Sequence, residues 1–195
     1  MSVLPLQPSS AESNATRKKP AVSRLGIDHW VVPLNDGSHV LIRPLKAEDR
    51  EREFAFIKNL SPESRHSRFL VTMKEPGEPL LDQLMDIDYQ QRMAYIALHM
   101  DDGLLTEIGV ARYAADDAAQ CESAIAIADA WQRKGLGRQL MGHLIDAARI
   151  NGFQHMMSMD SASNSPMRHL ARALGFTSGG DPLDATQVVY RLHLN

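Results

Sequence analysis

Residues Trp131-Gln132-Arg133-Lys134-Gly135-Leu136-Gly137-Arg138 bring two glycines and three cationic side chains together in a short run. The run falls between a β-like segment, Ser123 to Ala128, and an amphipathic helical pattern carried by Leu140, Met141, Leu144, Ile145 and Ala148. A strand that turns through glycines into a helix start can grip an anion. Glycine lets the backbone come close to a ligand. The first helical turn presents N–H groups that have no partner inside the helix, with the positive end of the helix dipole behind them. Arg133, Lys134 and Arg138 add charge where a phosphate would lie.

Spacing separates the phosphate-binding alternatives. A dinucleotide fingerprint needs a third glycine where this chain has Leu140, and Gly142 comes two places late. A nucleotide P-loop ends in Gly-Lys-Ser/Thr, and no such run occurs. What remains is Gln132-x-x-Gly135-x-Gly137 at a strand-to-helix junction. It resembles the acyl-CoA pyrophosphate loop of the GNAT superfamily of N-acyltransferases, whose pattern is Arg/Gln-x-x-Gly-x-Gly/Ala. On these residues alone, an ordinary strand–helix turn with a solvated basic edge stays open.

The elements around the loop follow from periodicity and punctuation. Residues 1–24 are rich in Ser, Pro, Ala and Lys without apolar periodicity and read as a disordered tail, which holds the basic cluster Arg17, Lys18, Lys19. His29 to Leu34, the turn Asn35-Asp36-Gly37 and Val40 to Arg43 read as a β-hairpin, so residues 25–36 form an N-terminal extension. A charged helix is expected over Ala47–Leu60 with Phe54 and Ile57 facing inward. A second starts at Ser61-Pro62, and a short third spans Pro79–Met85. Met93–Met100 and Leu105–Tyr113 read as strands joined by Asp101-Asp102-Gly103. The helix after the glycine loop stops at Asn151-Gly152. A strand over Phe153–Met159, a helix from Ser165-Pro166 to Gly175 and an alternating strand through Val188, Tyr190, Leu192 and Leu194 close the chain. The sum is a single mixed α/β domain with a central sheet wrapped by helices.

Bulk numbers bound the class. With 195 residues and 44% hydrophobic content, the chain can bury one good core. A net charge of −3 with mixed signs argues against nucleic-acid binding. No apolar run reaches membrane-spanning length and no signal peptide is read. Cys121 is the only cysteine, which fits a reducing cytoplasm. The eight histidines lack ligand spacing, so no metal site is expected.

Several ordered segments narrow the resemblance. Ile42-Arg43-Pro44-Leu45 with Glu48-Asp49 resembles the opening strand and first helix cap of the GNAT superfamily. Leu60-Ser61-Pro62-Glu63-Ser64-Arg65 with Arg68-Phe69 is similar to the corresponding segment of bacterial protein lysine acetyltransferases. So are Ile87-Asp88-Tyr89 with Met93-Ala94, and Asn164, Met167 and Leu174-Gly175-Phe176. The resemblance covers residues 37–195 and implies a GNAT N-acetyltransferase domain. Its sheet would be mixed but mostly antiparallel.

The resemblance also implies a chemistry: acetyl-CoA as cosubstrate, no metal, and a primary amine as acceptor, in this group a protein lysine. Backbone groups of Ile125 and Ile127 would pair with the pantetheine arm. Amides of Gln132, Arg133, Lys134, Gly135, Leu136, Gly137 and Arg138 would cradle the diphosphate. Asn164 holds the family position for a pantetheine contact, and equally well orders the start of the last helix. Glu122 keeps the nine-residue separation from Trp131 that the group's glutamate base shows. Strand alternation independently puts Glu122 on one face with Ala124, Ala126 and Ala128, and Ile125 and Ile127 on the other. Cys121 then points away from Glu122 and reads as core. The superfamily's tyrosine acid is replaced by Ala171, which leaves protonation of the leaving thiolate unassigned. Arg65 and Arg68 share a helical face and could meet coenzyme phosphates or solvent. Acetylation of a small amine or amino acid, and an acyl-CoA-binding regulatory module, are the rival functions. A homodimer is left open.

Overall fold

The computed structural model describes residues 29–69, 73–115 and 117–194. The expected disordered tail and its basic cluster lie outside them. Eight strands form one sheet: β1 (Trp30–Pro33), β2 (His39–Pro44), β3 (Arg92–Asp101), β4 (Leu104–Ala114), β5 (Gln120–Ile127), β6 (His155–Ser161), β7 (Thr177–Gly180) and β8 (Gln187–His193). The order across the sheet is β1-β2-β3-β4-β5-β6-β8-β7. Only the β5/β6 pair is parallel. A parallel pair needs a crossover, and α4 (Leu136–Ile150) supplies it. Four further helices are α1 (Arg50–Asn59), α2 (Pro62–Phe69), α3 (Glu78–Met85) and α5 (Ser165–Ala173).

The sheet has two covered faces. On one, Leu136, Leu140, Met141, Leu144 and Ile145 of α4 and Met167 and Ala171 of α5 join Cys121, Tyr95 and Met156 in a single core. On the other, Phe56 and Ile57 of α1, Leu60 and Leu84 pack on Ala94, Ile96, Val110 and Ala126. The buried stripe of α1 is Glu53, Phe56, Ile57 and the following Leu60, the i, i+3, i+4, i+7 spacing of one helical face. Phe54, expected inward, is on the outer flank with the Lys58 ammonium 5.6 Å from its ring centre. The reason is the helix start: Ala47–Asp49 is a separate 3-10 turn, so α1 begins at Arg50 with a different phase. β7, whose sequence Thr-Ser-Gly-Gly carries no strand pattern, exists by pairing with β8.

Beneath α1 lies a buried polar cluster. Arg112 of β4 donates to Glu53 and, at 2.8 Å, to the Leu84 carbonyl. Among the described residues no N–H or hydroxyl group donates to the other Glu53 oxygen or to either oxygen of buried Glu107. Burial first, then the neighbouring Glu53 carboxylate, push the Glu107 carboxyl well above the usual carboxylate range. Burial therefore favours the neutral form of Glu107. A raised carboxyl contributes its full stability below the unfolded-state value, and the contribution is lost as pH rises toward the folded value. Glu107→Gln removes that titration while keeping the shape. Its Tm should match or slightly exceed wild type near about pH 4, with the gain growing toward about pH 8. A variant less stable than wild type at the higher pH would show instead that an ionised Glu107 supports the fold.

Candidate functional site

After β5, the 3-10 turn Asp129–Trp131 leads through Gln132–Gly135 into α4. Arg133 (φ 60°) and Gly135 (φ 89°) both adopt the left-handed region. The N–H groups of Arg133, Lys134, Gly135, Leu136 and Gly137 donate to no acceptor among the described residues. Five consecutive free amides at the N-terminus of a 15-residue helix are an arrangement that can cradle an anion. The two outer members of the expected cradle are engaged elsewhere. The Gln132 N–H donates to the Asp129 carbonyl at 3.4 Å, and that of Arg138 to Gly135 at 3.1 Å. The glycines differ in purpose. Gly135 supplies the positive φ, and a Cβ there would sit 3.2 Å from the Asn35 side chain. A Cβ on Gly137 would sit 3.2 Å from both Ile127 Cδ1 and Leu170 Cδ2, so its bareness lets α4 approach β5 and α5. Lys134 is turned aside: its ammonium is 3.0 Å from Asp36 and 4.5 Å from the Trp131 ring centre. Arg133 and Arg138 are exposed, with no ion pair among the described residues.

The β5/β6 pair beside this turn is split. Residue pairing runs only over Gln120–Glu122 with His155–Met157, although both strands continue. The Ser123 hydroxyl closes the vertex by donating to the Met157 carbonyl at 3.1 Å. The Ala128 N–H donates to Ile108 at 2.9 Å, so the antiparallel alternation aims Ala124 and Ala126 at β4. Backbone groups of Ile125 and Ile127 accordingly face the open edge. There the Gln132 side chain donates to the Ile127 carbonyl at 3.2 Å and to the Ser64 hydroxyl at 3.1 Å, so this glutamine braces the loop.

At the vertex, the Glu122 side chain is exposed, makes no hydrogen bond or ion pair among the described residues, and occupies the last paired row. Its alternation partners Ala126 and Ala128 pack with the α1 face, while Ile125 and Ile127 pack with the α4 face. Cys121 is buried on that α4 face, and burial pushes its thiol up to about 12, so it is no nucleophile. Ala171 is buried in the same core.

Asn164 engages both ends of its side-chain amide. Its oxygen accepts from the Met167 N–H at 3.0 Å, capping α5, and its nitrogen lies 3.1 Å from both Asp160 oxygens. Asn164→Ala should cost about 1–2 kcal/mol of folding stability, the price of losing a side-chain cap. Equilibrium urea unfolding checks this, and an unchanged midpoint would refute the structural role.

Sequence reading underrated α2. Asp129 accepts from the Ser61 N–H (3.0 Å), the Ser61 hydroxyl (2.8 Å) and the Ser64 hydroxyl (2.7 Å), while Ser61 also caps α2 through the Ser64 N–H at 3.1 Å. Burial pushes the Asp129 carboxyl up, but the bonds from Ser64 and Ser61 outweigh it and leave it lowered. The clamp fastens α2 to the turn before the cradle. Its only trace in the chain is the pair of serines three apart at the helix start. Arg65 does not reach toward phosphates: it is buried and donates to the carbonyls of Leu60 (3.0 Å), Lys58 (3.3 Å) and Lys74.

A split parallel pair beside an amide-lined turn at a helix start is the frame of an acyl-CoA-dependent acyltransferase. A family model described as the acetyltransferase (GNAT) family matches residues 46–176, and the chain belongs to that family. It is 57% identical over 182 residues to acetyltransferase PA5475 of Pseudomonas aeruginosa, covering 93% of this chain and 97% of that protein. Its fold is similar to the GNAT domain of S. lividans PAT, with a TM-score of 0.76 at 23% identity, over 85% of this chain and 96% of that one. It is also similar to yncA of Salmonella typhimurium, solved with its cofactor acetyl-CoA, with a TM-score of 0.64 at 20% identity over 80% of this chain and 94% of that one. The protein is thus an acetyltransferase of the GNAT family. Among the described residues no cluster of His, Cys, Asp or Glu could hold a metal ion, and no helix is long and apolar enough to cross a membrane.

Proposed function

We propose that the enzyme moves the acetyl group of acetyl-CoA to a primary amine, a protein lysine side chain, by direct attack with Glu122 as general base. The observation that carries this reading is the position of Glu122: exposed, without a protein partner among the described residues, and at the row where the free strand edge begins. The ammonium gives its proton to Glu122, directly or through a water. The freed amine bonds to the thioester carbonyl carbon, the carbon–sulfur bond breaks, and the proton that the new amide nitrogen sheds passes through water to the leaving thiolate. The Ile127 N–H is the donor assigned to the thioester oxygen. Ile125 and Ile127 pair with the pantetheine arm, and the amides of Arg133 to Gly137 take the diphosphate. Small side chains at Ala124, Ala126 and Ala128 leave room for the acceptor.

The lysine acceptor draws its support from the Leu60–Arg65 and Ile87–Ala94 segments, which resemble those of bacterial protein lysine acetyltransferases. Residues 37–195 are assigned to the acetyltransferase domain, and the strand before them acts as a brace, since the Asn35 N–H donates to the Lys134 carbonyl at 3.0 Å. Mass spectrometry of lysine peptides, polyamines and amino acids after incubation with enzyme and acetyl-CoA tests the acceptor class. Acetylated peptide is the expected product. Turnover confined to polyamines or amino acids would replace lysine, and coenzyme binding without any product would leave a regulatory module.

A further inference from the structure

Arg68, at the end of α2, carries five N–H donors and makes no hydrogen bond or ion pair among the described residues, although it is half-buried. Its guanidinium carbon lies 4.7 Å from the ring centre of Phe69. A guanidinium that is partly withdrawn from water and has no protein partner is available to a ligand that completes the site. α2 lies across β5 and β6, and the charges whose fields reach Arg68 are Arg112, Glu53, Glu122 and Asp160. Three of these already have protein partners. Glu53 and Arg112 pair with each other, and Asp160 is held by the Asn164 amide and the Ser161 N–H. Glu122 alone is free, and it forms no direct ion pair with Arg68. The helix that carries Arg68 thus lies across the strand that carries Glu122, on the alanine-lined face of the split, and neither side chain has a hydrogen-bond or ion-pair partner among the described residues. Burial first, and then Arg112, pull the guanidinium down to about 10, which leaves it charged at neutral pH.

We propose that Arg68 receives a carboxylate of the acceptor, so that preferred acceptors carry an acid close to the amine that Glu122 deprotonates. This rests on the acetyltransferase reading given above. The shared chemistry is an amine with a neighbouring carboxylate. It can come from a lysine next to Asp or Glu in a protein or from a free amino acid. A planar guanidinium suits a carboxylate bidentately, and the Phe69 ring lies close enough to support it by a cation–π contact.

The test pairs acceptors that differ only in charge: lysine peptides flanked by Asp or Glu against the same peptides with Asn or Gln, and amino acids against their amides. Wild type should prefer the acid in kcat/KM by about 10- to 100-fold, mainly through KM. Arg68→Gln should collapse that ratio toward one with coenzyme affinity unchanged, and Arg68→Lys should restore part of it. The peptide and amino-acid arms identify the source. If Arg68 only balances Glu122 and Asp160, its removal shifts the pH profile of turnover alike for both members of each pair and leaves the ratio intact, which overturns the proposal. If no amine is acetylated, the acceptor reading fails separately, and calorimetry with N-acetyl amino acids against their amides, in the presence of CoA, still decides on Arg68. Carboxylate binding that Arg68→Gln abolishes supports it, and no such binding overturns it.

Discussion

Glu122→Gln is expected to lower turnover by about 10²–10⁴, the usual contribution of a positioned base, while leaving the acetyl-CoA dissociation constant within about twofold. The substitution keeps the size of the side chain and removes only its ability to take a proton. No protein partner of Glu122 among the described residues is disturbed, so the fold should not register the change. The coenzyme contacts assigned here are backbone groups of Ile125, Ile127 and the Arg133–Gly137 turn, none of which the change touches. The base's absence should be felt least at high pH, where more of the acceptor amine is already deprotonated. Steady-state kinetics across pH with parallel calorimetry decide the matter. Near-wild-type turnover at neutral pH would remove Glu122 from the mechanism and shift attention to a water held by backbone groups.

The second large effect is expected at the cradle. Gly135 sits at φ +89°, where a side chain is strained, and a new Cβ would stand 3.2 Å from Asn35. Gly135→Val adds a β-branched residue, for which this conformation is an outlier. The turn must open, which takes the amides of Lys134 and Gly135 away from the diphosphate. Each hydrogen bond to a charged group is worth about 1.5–3 kcal/mol, so losing two should weaken acetyl-CoA binding by roughly 10²–10⁴. The hairpin contact from Asn35 to Lys134 should loosen with it and lower Tm by a few degrees or so. Calorimetric titration with acetyl-CoA reads the first effect. An unchanged affinity in a folded variant would mean that the coenzyme's phosphates are held elsewhere, by exposed Arg133 or Arg138 for example.

Much of this site could be read from the chain because its rules are local. Two glycines spaced around a helix start need no distant partner to be read as a candidate anion turn. Period-two alternation was enough to put Glu122 with Ala124, Ala126 and Ala128 and to turn Cys121 away. Asn164 before Ser165-Pro166 marked a helix start for the same reason.

Other features were settled only when remote segments met. Lys134 looked like a phosphate ligand until the hairpin brought Asp36 to it. Gly137 looked like a second point of ligand approach until Ile127 and Leu170 took the space beside it. Arg65 and Arg68 were indistinguishable as neighbours on one helical face, yet carbonyls of Leu60, Lys58 and Lys74 satisfy the first and nothing described satisfies the second. β7 has no strand signal and exists through its pairing with β8, and the split between β5 and β6 is a matter of how far two strands stay together. Local sequence determined which backbone could bend, cap or alternate. Tertiary structure decided which charges and amides remain free, because that depends on what arrives from the rest of the chain.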